Sequence, residues 1–280
     1  MMDHRKGKWA DVPADQQDPL SYAISARDQS TISIVEDAVR HKQVMLAFQP
    51  VVPAGQVERV AFYEGLVRVL DGTGRIIPAR EFIDAIETTE TGRVIDCLAL
   101  EQGLRTLSVY GSLRLSINMS ARSIGYSRWI RTLRRALDAD PTIGERLILE
   151  ITESSAMLVP ELVTGFMSDL SRRGVSFALD DFGAGFTSFR YLKDFYFDIL
   201  KIDGQFIRGI AQNADNQVLT TALATIARQF DMVTVAESVE RADDAAYLTA
   251  IGLDCLQGYY YGAPSVKPIW LKPEPRRASA

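Results

Sequence analysis

Short apolar strands alternate with helical segments along most of the chain, and this alternation limits the folds that it can adopt. From Asp71 onwards, predicted strands such as residues 146–152 and 232–237 are separated by predicted helices, among them residues 160–173. Strands that follow one another through a helix pair in parallel. The chain has 280 residues, of which 47% are hydrophobic. This suits a single eight-stranded α/β barrel, for which about 250 residues are typical.

The first two predicted strands break this alternation. Residues 45–52 are apolar and end at Pro53 and Gly55, and residues 57–70 form the second strand, so only a short turn separates the two. A turn of this length makes a hairpin, whose strands are antiparallel. We therefore predict an α/β fold: a modified TIM-like (β/α)8 barrel with an antiparallel first strand.

The two ends of the chain differ in composition from the segment between them. Residues 1–30 are polar and rich in Asp, Gln and Ser, which predicts a flexible leader with room for a short helix. Residues 269–280 include a segment rich in Pro and Arg, which predicts a disordered tail. Residues 31–268 then form one folded domain, whose first helix is predicted over residues 32–42.

Strand after predicted strand ends on a polar residue, for which an apolar strand has little structural use. In a barrel the carboxyl ends of the parallel strands lie at one face, where active sites form. One such residue alone is usually a solvated strand end, but the same position filled in strand after strand indicates a functional site. The residues are Glu64, Asn118, Glu150, Asp180, Asp181, Lys201, Glu237 and Gln257.

The types of these residues favour a metal site. Asp180 and Asp181 repel each other, and Gly183 and Gly185 after them allow the backbone to turn so that both carboxylates face one site. A solvated Asp-Asp turn is the alternative for this pair taken alone. The acids and Asn118 offer hard oxygen ligands without sulfur, which suits Mg²⁺ or Mn²⁺ better than structural zinc. Two such ions bridged by one aspartate would polarise a phosphoryl oxygen and supply hydroxide for in-line attack.

Lys201 is the cation of this set. It lies between Leu200 and Ile202 on a predicted buried strand, where a lysine persists mainly when it is paired with acids. Among metal-bound carboxylates a lysine can hold the attacking water or take part in its deprotonation. The alternative is a structural salt bridge to Asp203 or to a helix end.

Composition argues against several other functions. The net charge of -5 and the pI of about 5.2 disfavour polymeric nucleic acid as a partner. The chain has two histidines, His4 and His41, both in polar segments, so it lacks the parts of zinc hydrolases and Ser-His-Asp enzymes. Cys97 and Cys255 are predicted to be reduced core residues. Apolar runs fall short of about 18 residues, so we expect no membrane insertion and a cytoplasmic location.

An ordered set of short motifs covers about residues 34–266. The motifs are FQPVV at 48–52, YEGLVR at 63–68, INMS at 117–120, LEITES at 149–154, LDDFGAGFTSFRYLK at 179–193, LKID at 200–203, AESVE at 236–240 and LQGYYYGAP at 256–264. Each motif alone is weak, but the set in this order is highly specific. By these motifs the chain resembles the EAL-domain phosphodiesterases that hydrolyse cyclic di-GMP.

This resemblance implies metal ligands and substrate contacts. Lys201 is similar to the lysine that positions the nucleophilic water, and Gln257 to a glutamine that lines the same site. Arg68 would contact a substrate phosphate and Gln49 would help to hold a guanine. The implied ligands of two Mg²⁺ or Mn²⁺ ions are Glu64, Asn118, Glu150, Asp180, Asp181 and Glu237, with Asp180 as the bridge.

The resemblance also implies a reaction and an assembly. Glu64, Lys201 and Glu153 are the catalytic residues that it suggests, and Glu153 would anchor the loop after the aspartates, residues 182–189. In the family this loop is expected to couple dimer formation to metal binding. The implied reaction opens one phosphodiester of cyclic di-GMP to give linear pGpG, and the implied assembly is a homodimer.

Two positions depart from the common motif. Gly65 replaces the alanine of Glu-Ala-Leu, and this either loosens Glu64 or makes room for a larger packing partner. Val69 replaces a frequent tryptophan, which would remove aromatic surface near the phosphate contact, so we expect weaker substrate binding.

The main hypothesis is therefore an active, metal-dependent cyclic di-GMP phosphodiesterase. The alternative is a catalytically silent EAL module that acts as a cyclic di-GMP receptor or as a regulator through a protein partner. Members of that kind usually lack acids or the lysine, and this chain has them all. A third hypothesis is an unrelated barrel with a two-metal site for another phosphoester.

Overall fold

The computed structural model describes residues 19–183 and 192–271. Within these residues the strands are β1 (Val44–Pro53), β2 (Phe62–Leu70), β3 (Ile76–Pro78), β4 (Leu115–Asn118), β5 (Leu147–Thr152), β6 (Ser176–Phe182), β7 (Ile199–Ile202), β8 (Val233–Ala236) and β9 (Cys255–Gln257). The helices are α1 (Pro19–Arg40), α2 (Ile83–Ile86), α3 (Glu90–Val109), α4 (Ser127–Ala139), α5 (Glu153–Ala156), α6 (Pro160–Ser171), α7 (Gly204–Ile207), α8 (Ala214–Gln229) and α9 (Ala242–Ala250).

The strands close into a barrel. Its order is β1-β2-β4-β5-β6-β7-β8-β9, and β9 pairs with β1 to complete the ring. β1 is antiparallel to both of its neighbours, whereas the pairs from β2–β4 round to β8–β9 are parallel. This confirms the predicted α/β fold, a modified TIM-like barrel with an antiparallel first strand. β3 lies outside the ring and pairs with β2.

The main hydrophobic core lies between the barrel wall and the helices. In α4 the buried residues Trp129, Leu133 and Leu137 are four positions apart, which gives this helix one apolar stripe against the core. α8 begins where the Asn213 side chain accepts a hydrogen bond from the backbone N–H of Asn216. The two cysteines are buried and unpaired. In the described part of the chain, no helix combines the length and the hydrophobicity needed to cross a bilayer.

Two elements differ from the predicted ones. α1 begins at Pro19, so residues 19–30, which composition assigned to the leader, are helical. Pro78 is the last residue of β3, which pairs with β2, and the helix predicted from Pro78 through Ile86 is divided into a short 3-10 helix at Ala79–Glu81, with Pro78 as its N-cap, and α2. Residues 1–18 of the predicted leader and residues 272–280 of the predicted tail lie outside the described residues.

Candidate metal centre

Two layers of side chains fill the inside of the barrel. The lower layer is apolar and takes one residue from most strands: Val51, Phe62, Ile148, Ala178, Ile199, Val235 and Cys255. In β4 the buried Ser116 holds the equivalent position, since it pairs with Ile148. Side chains two residues apart on a strand point to the same face, so the residue two positions further on lies directly above this layer.

The upper layer is polar and contains the predicted strand-end residues. Each lies two positions beyond a residue of the lower layer, except Gln49, which precedes Val51 by two because β1 runs in the opposite direction. Most of these side chains are buried. The layer consists of Gln49, Glu64, Asn118, Glu150, Asp180, Lys201, Glu237 and Gln257, so the fold brings together residues from the whole ring of strands.

Lys201 lies at the centre of the polar layer, and its side chain is 1% exposed. Its Nζ atom is 2.7 Å from Glu150 Oε2, 2.7 Å from Glu237 Oε1, 2.9 Å from Asp180 Oδ1 and 3.3 Å from Glu64 Oε2. Burial alone would lower the pKa of Lys201, but the carboxylates raise it well above its usual range. The alternative partner Asp203 instead caps α7, where it accepts from the backbone N–H of Gln205. Lys201 is therefore a fixed positive charge inside an acidic ring.

Glu64 is held by three donors. Asn118 Nδ2 donates to Glu64 Oε1 at 2.8 Å, Gln257 Nε2 donates to Oε2 at 2.6 Å, and Lys201 is the third donor. Burial by itself would raise the pKa of Glu64, but the Lys201 charge and the two amides lower it below its ordinary value. Because an amide carries both a donor and an acceptor, Asn118 can bind Glu64 through Nδ2 and still offer Oδ1 to a cation.

The other acids are less well compensated. Burial, and with it the neighbouring acids, raises the pKa of Glu150 and of Glu237 well above their usual range and that of Asp181 to about 6. Glu150 Oε1 is buried and has no hydrogen-bond partner among the described residues. An unsatisfied buried acceptor of this kind is destabilising by about 1–3 kcal/mol, and by more when it is charged. A cation among these oxygens would relieve both the repulsion and the unmet acceptor.

Two groups of three carboxylates are close enough to hold a cation each. One oxygen from each of Glu64, Glu150 and Asp180 lies within 4.8 Å of the others, and the same holds for Asp180, Asp181 and Glu237. Asp180 belongs to both groups. These hard oxygen donors fit Mg²⁺ or Mn²⁺. The cluster is therefore able to bind metal.

The adjacent aspartates reach one site because the backbone turns at Asp181. The φ angle of Asp181 is 54°, in the left-handed region, and that of Gly183 is 94°. The pairing of β6 with β7 also shifts register between Leu179 and Phe182. The sequence predicts this turn at the glycines, but Asp181 carries part of it, since aspartate adopts left-handed backbone more readily than most residues.

Glu153 opens α5 and contacts the start of the loop after the aspartates. The backbone N–H of Gly183 donates to Glu153 Oε2 at 3.4 Å, and Glu153 is buried. Residues 184–189, which make up most of the predicted coupling loop, lie outside the described residues. The structure thus gives one contact by which Glu153 can hold the beginning of this loop.

A cavity of about 430 Å³ opens above the polar layer. The predicted substrate-binding residues Gln49, Arg68 and Gln257 all line it. Gln49 accepts from Gln257 Nε2 at 3.2 Å and donates from Nε2 to the carbonyl of Gly262 at 3.0 Å, so the layer is connected to the C-terminal segment.

The cavity also contains residues that the sequence analysis did not assign to the site. Arg80 follows the short strand β3, and Tyr259 belongs to the C-terminal segment. Ser238 and Glu240 lie within the AESVE motif, which was a signal for them, but nothing in the sequence marks Arg80. The additional lining residues include Arg80, Arg208, Ser238, Glu240 and Tyr259.

The structure accounts for both departures from the common motif. A Cβ atom added at Gly65 would lie 2.8 Å from Ile117 Cδ1, so the glycine accommodates a large neighbour, and Glu64 keeps its three donors. Val69 is fully buried in the main core. It lies on the face of β2 opposite to Arg68, so a side chain at this position faces the core and not the predicted phosphate contact. Weaker substrate binding stays a prediction.

A profile of the EAL domain family matches residues 32–264, which is most of the chain. The chain belongs to the EAL domain family. It is 30% identical over 234 residues to the cyclic di-GMP phosphodiesterase PdeB of Shewanella oneidensis, a match that covers 82% of this chain and 27% of PdeB. The chain spans about a third of the length of the curated relatives it matches, from 27% to 44% of those most similar.

Solved EAL structures with a bound ligand have the same fold. The c-di-GMP complex of the PaMucR phosphodiesterase superposes with a TM-score of 0.77 at 28% identity, over 84% of this chain and 97% of that one. The FimX EAL domain from Pseudomonas aeruginosa bound to c-di-GMP gives a TM-score of 0.75 at 25% identity, over 84% and 96% of the two chains. The relatives of this EAL domain thus include a protein named as a cyclic di-GMP phosphodiesterase and domains whose structures were solved with c-di-GMP bound.

Proposed function

We propose that this EAL domain is a metal-dependent phosphodiesterase that hydrolyses cyclic di-GMP to linear pGpG. The observation that carries the proposal is the pair of carboxylate groups that share Asp180 beside the buried Lys201. Two of these acids, Glu64 and Glu237, line a cavity that also has arginines in its wall. The names of relatives such as PdeB point to the same substrate.

The charges of the cluster support two divalent ions. Glu64, Glu150, Asp180, Asp181 and Glu237 carry five negative charges when ionised and Lys201 carries one positive charge, which leaves four negative charges. Two Mg²⁺ or Mn²⁺ ions would balance that charge, and Asp180, which belongs to both groups, would help to hold them together with the neutral amide oxygen of Asn118. Bound there, the ions would polarise a phosphoryl oxygen and lower the pKa of a water molecule.

The remaining residues act by position. Lys201, protonated and held by carboxylates on several sides, supplies a fixed positive charge next to the acids that would hold the ions. Gln257 and Gln49 fix Glu64 and the C-terminal wall through a chain of hydrogen bonds. Arg68, on the same face of β2 as Glu64, is in place to bind a phosphate above the acids.

A hydrolysis assay with matched variants tests the proposal. Purified protein in Mg²⁺ or Mn²⁺ should convert cyclic di-GMP to pGpG, and Asp180→Asn should lower kcat by several orders of magnitude. Asp215→Asn makes the same chemical change at an exposed position on α8 and should leave kcat unchanged. Tight nucleotide binding without turnover in the wild type would instead support the silent receptor.

We also infer that the domain forms a homodimer through the start of α6. Leu158, Val159 and Leu162 are 54%, 37% and 49% exposed and lie close in sequence to Glu153, which holds Gly183. Light scattering should give twice the monomer mass for the wild type and a monomer for Leu162→Asp. Val218→Asp, on the 70% exposed Val218 of α8, is the control and should stay dimeric. A monomeric wild type would contradict the inference.

A further inference from the structure

The upper part of the cavity wall contains a pair of arginines that form no ion pair with the described part of the chain. Arg68 and Arg80 both line the cavity, and no ion pair joins either of them to a carboxylate within the described ranges. Within the described residues, the side chain of Arg68 donates one hydrogen bond, from Nη1 to the neighbouring carbonyl of Val67 at 2.8 Å. Arg208, on another part of the wall, differs because it donates to Ser238 Oγ at 2.8 Å and lies 3.8 Å from Glu240.

The short strand β3 brings the two arginines together. Pro78 at the end of β3 pairs with Arg68 on β2, and Arg80 follows two residues later in the turn after β3. The two guanidinium groups repel each other. Burial, and after it the charge of Arg80, lowers the pKa of Arg68 from its ordinary value. Like charges held together at the edge of a cavity are best compensated by an anion that enters it.

Along β2 the cavity wall changes from acidic to basic. Glu64, Leu66 and Arg68 alternate on the face that lines the cavity, so the metal cluster lies at one end of this row and the arginines at the other. A ligand with two separate phosphates fits this arrangement, because the phosphate that reacts belongs at the acids and their metal ions. The second phosphate then belongs at the arginines.

We propose that Arg80, together with Arg68, forms a second anion subsite that binds the phosphodiester of a cyclic dinucleotide that is not being cleaved. This inference rests on the proposed function and deepens it. Arg80 contributes binding and orientation, and the chemistry stays at the acidic cluster. The subsite makes the cavity selective for ligands that carry two phosphates over those that carry one.

Kinetics with two substrates test the subsite. Arg80→Ala should raise KM for cyclic di-GMP about tenfold, the loss expected for a charge-assisted contact at a partly exposed site, with kcat changed less than about twofold. Hydrolysis of bis(p-nitrophenyl) phosphate, which has one phosphate, should be unchanged. Arg80→Lys should recover part of the loss, since it keeps the charge without the planar fork. Arg75→Ala, an exposed arginine outside the cavity wall, should match the wild type for both substrates.

The salt dependence of KM separates a phosphate contact from other roles. The rise of KM with ionic strength should be weaker in Arg80→Ala than in the wild type, because one screened charge contact is missing. An unchanged KM in Arg80→Ala, an unchanged salt dependence, or an equal loss with bis(p-nitrophenyl) phosphate would overturn the subsite.

The experiments distinguish failure of the subsite from failure of the proposed phosphodiesterase activity. If the wild type hydrolyses neither substrate, the proposed enzyme is wrong, and the subsite is then tested by calorimetry with cyclic di-GMP. Binding that is about tenfold weaker in Arg80→Ala would support the subsite in a silent receptor. Equal Kd values, or no binding by the wild type, would overturn it.

Discussion

Ile117 occupies a space that two glycines leave for it. A Cβ added at Gly65 would lie 2.8 Å from its Cδ1 atom, and one added at Gly103 would lie 2.7 Å from the same atom. The Ile117 side chain is fully buried, and Ile117 directly precedes Asn118, one of the proposed metal ligands. Gly65 on β2 therefore makes room for the isoleucine at position 117 on the neighbouring strand β4.

Restoring the common alanine should be destabilising here. Gly65→Ala should lower the free energy of unfolding by about 1–3 kcal/mol, because its methyl group meets Ile117 and Gly103 leaves no room on the other side. Adding Ile117→Val, which lacks Cδ1, should recover most of the loss, whereas Ile117→Val alone should cost about 0.5–1.5 kcal/mol. Urea unfolding measures all three. A Gly65→Ala variant as stable as the wild type would contradict this packing.

Asp96 on α3 is a second residue with a measurable consequence. Its Oδ2 atom accepts from the backbone N–H of Ser120 at 3.0 Å and from Ser123 Oγ at 2.6 Å, which fixes the turn after Asn118. Burial nonetheless raises the pKa of Asp96 to about 6, from an ordinary value of 3.8. The folded state therefore binds this proton more tightly than the unfolded state, so stability is lost as the pH rises through this range.

Asp96→Asn should remove that pH dependence. The amide oxygen can accept both hydrogen bonds without ionising, so between pH 5 and pH 7.5 the wild type should lose about 1–2 kcal/mol relative to the variant. Urea unfolding at the two pH values gives the difference, and the other acids cancel in the comparison. Asp84→Asn, at an exposed site on α2, is the control. Parallel curves for wild type and Asp96→Asn would show that the carboxyl is not perturbed.

At the scale of elements, residues 258–271 act as a strap along β1. Ser265 and Phe48 exchange two backbone hydrogen bonds, and Gly258, Tyr259 and Pro264 of this segment line the cavity. Trp270 fixes the far end, with its ring centroid 4.9 Å from that of Phe48, 5.6 Å from that of Tyr63 and 5.0 Å from that of Tyr110. Trp270 packs outside the ring of strands, but the segment that it holds in place forms one wall of the cavity.

Trp270→Ala should therefore affect substrate binding more than chemistry. Loss of three edge-on aromatic contacts should cost about 2–3 kcal/mol of stability and raise KM for cyclic di-GMP several-fold, with kcat nearly unchanged. Trp270→Phe should keep much of both properties. The neighbouring Ile269 is 97% exposed, so Ile269→Ala is the matched control and should change neither. An unchanged KM in a destabilised Trp270→Ala would mean that Gly262 and Ser265 hold the wall without the anchor.

The elements that sequence could not predict are those that depend on tertiary pairing. β3 has three residues and exists because it pairs with β2. Arg80 follows β3 and belongs to no recognised motif, so the sequence could not place it at the site. Helix α1 begins at Pro19, well before the predicted start at residue 32, because polar residues can be helical when part of the same helix is packed. The left-handed backbone of Asp181 has no sequence signal other than the glycines near it.

At the scale of the whole molecule, the two layers explain why the site was predictable. An apolar residue two positions before a polar strand end, as in Ile148 before Glu150 or Ile199 before Lys201, is a local pattern, and the barrel repeats it round the ring. The sequence thus predicts which side chains converge. It does not predict how the charges are balanced, because that depends on distances such as those around Lys201.

The acids of the polar layer that are proposed to bind metal also lower the stability of the metal-free fold. Glu150 is fully buried and its pKa is raised well above its usual range, so its ionised form is destabilising in the metal-free fold. Glu150→Gln cannot ionise and its amide oxygen can still accept from Lys201. In EDTA the variant should therefore have a higher Tm than the wild type, and the gain should grow from pH 5 to pH 8 as the wild-type carboxyl is forced to ionise. A gain of 1 kcal/mol corresponds to about 2–4 °C in a chain of this size.

Addition of Mn²⁺ should reverse this order. A ligand that binds the folded state alone raises Tm with its concentration, and the wild type has the complete set of ligands, so it should gain more than Glu150→Gln. Glu58→Gln, at an exposed site, should follow the wild type under both conditions. Scanning calorimetry with and without metal measures the crossing. If Glu150→Gln were less stable than the wild type in EDTA, the acids would already be balanced by Lys201, and the need for cations at this rim would lose its physical basis.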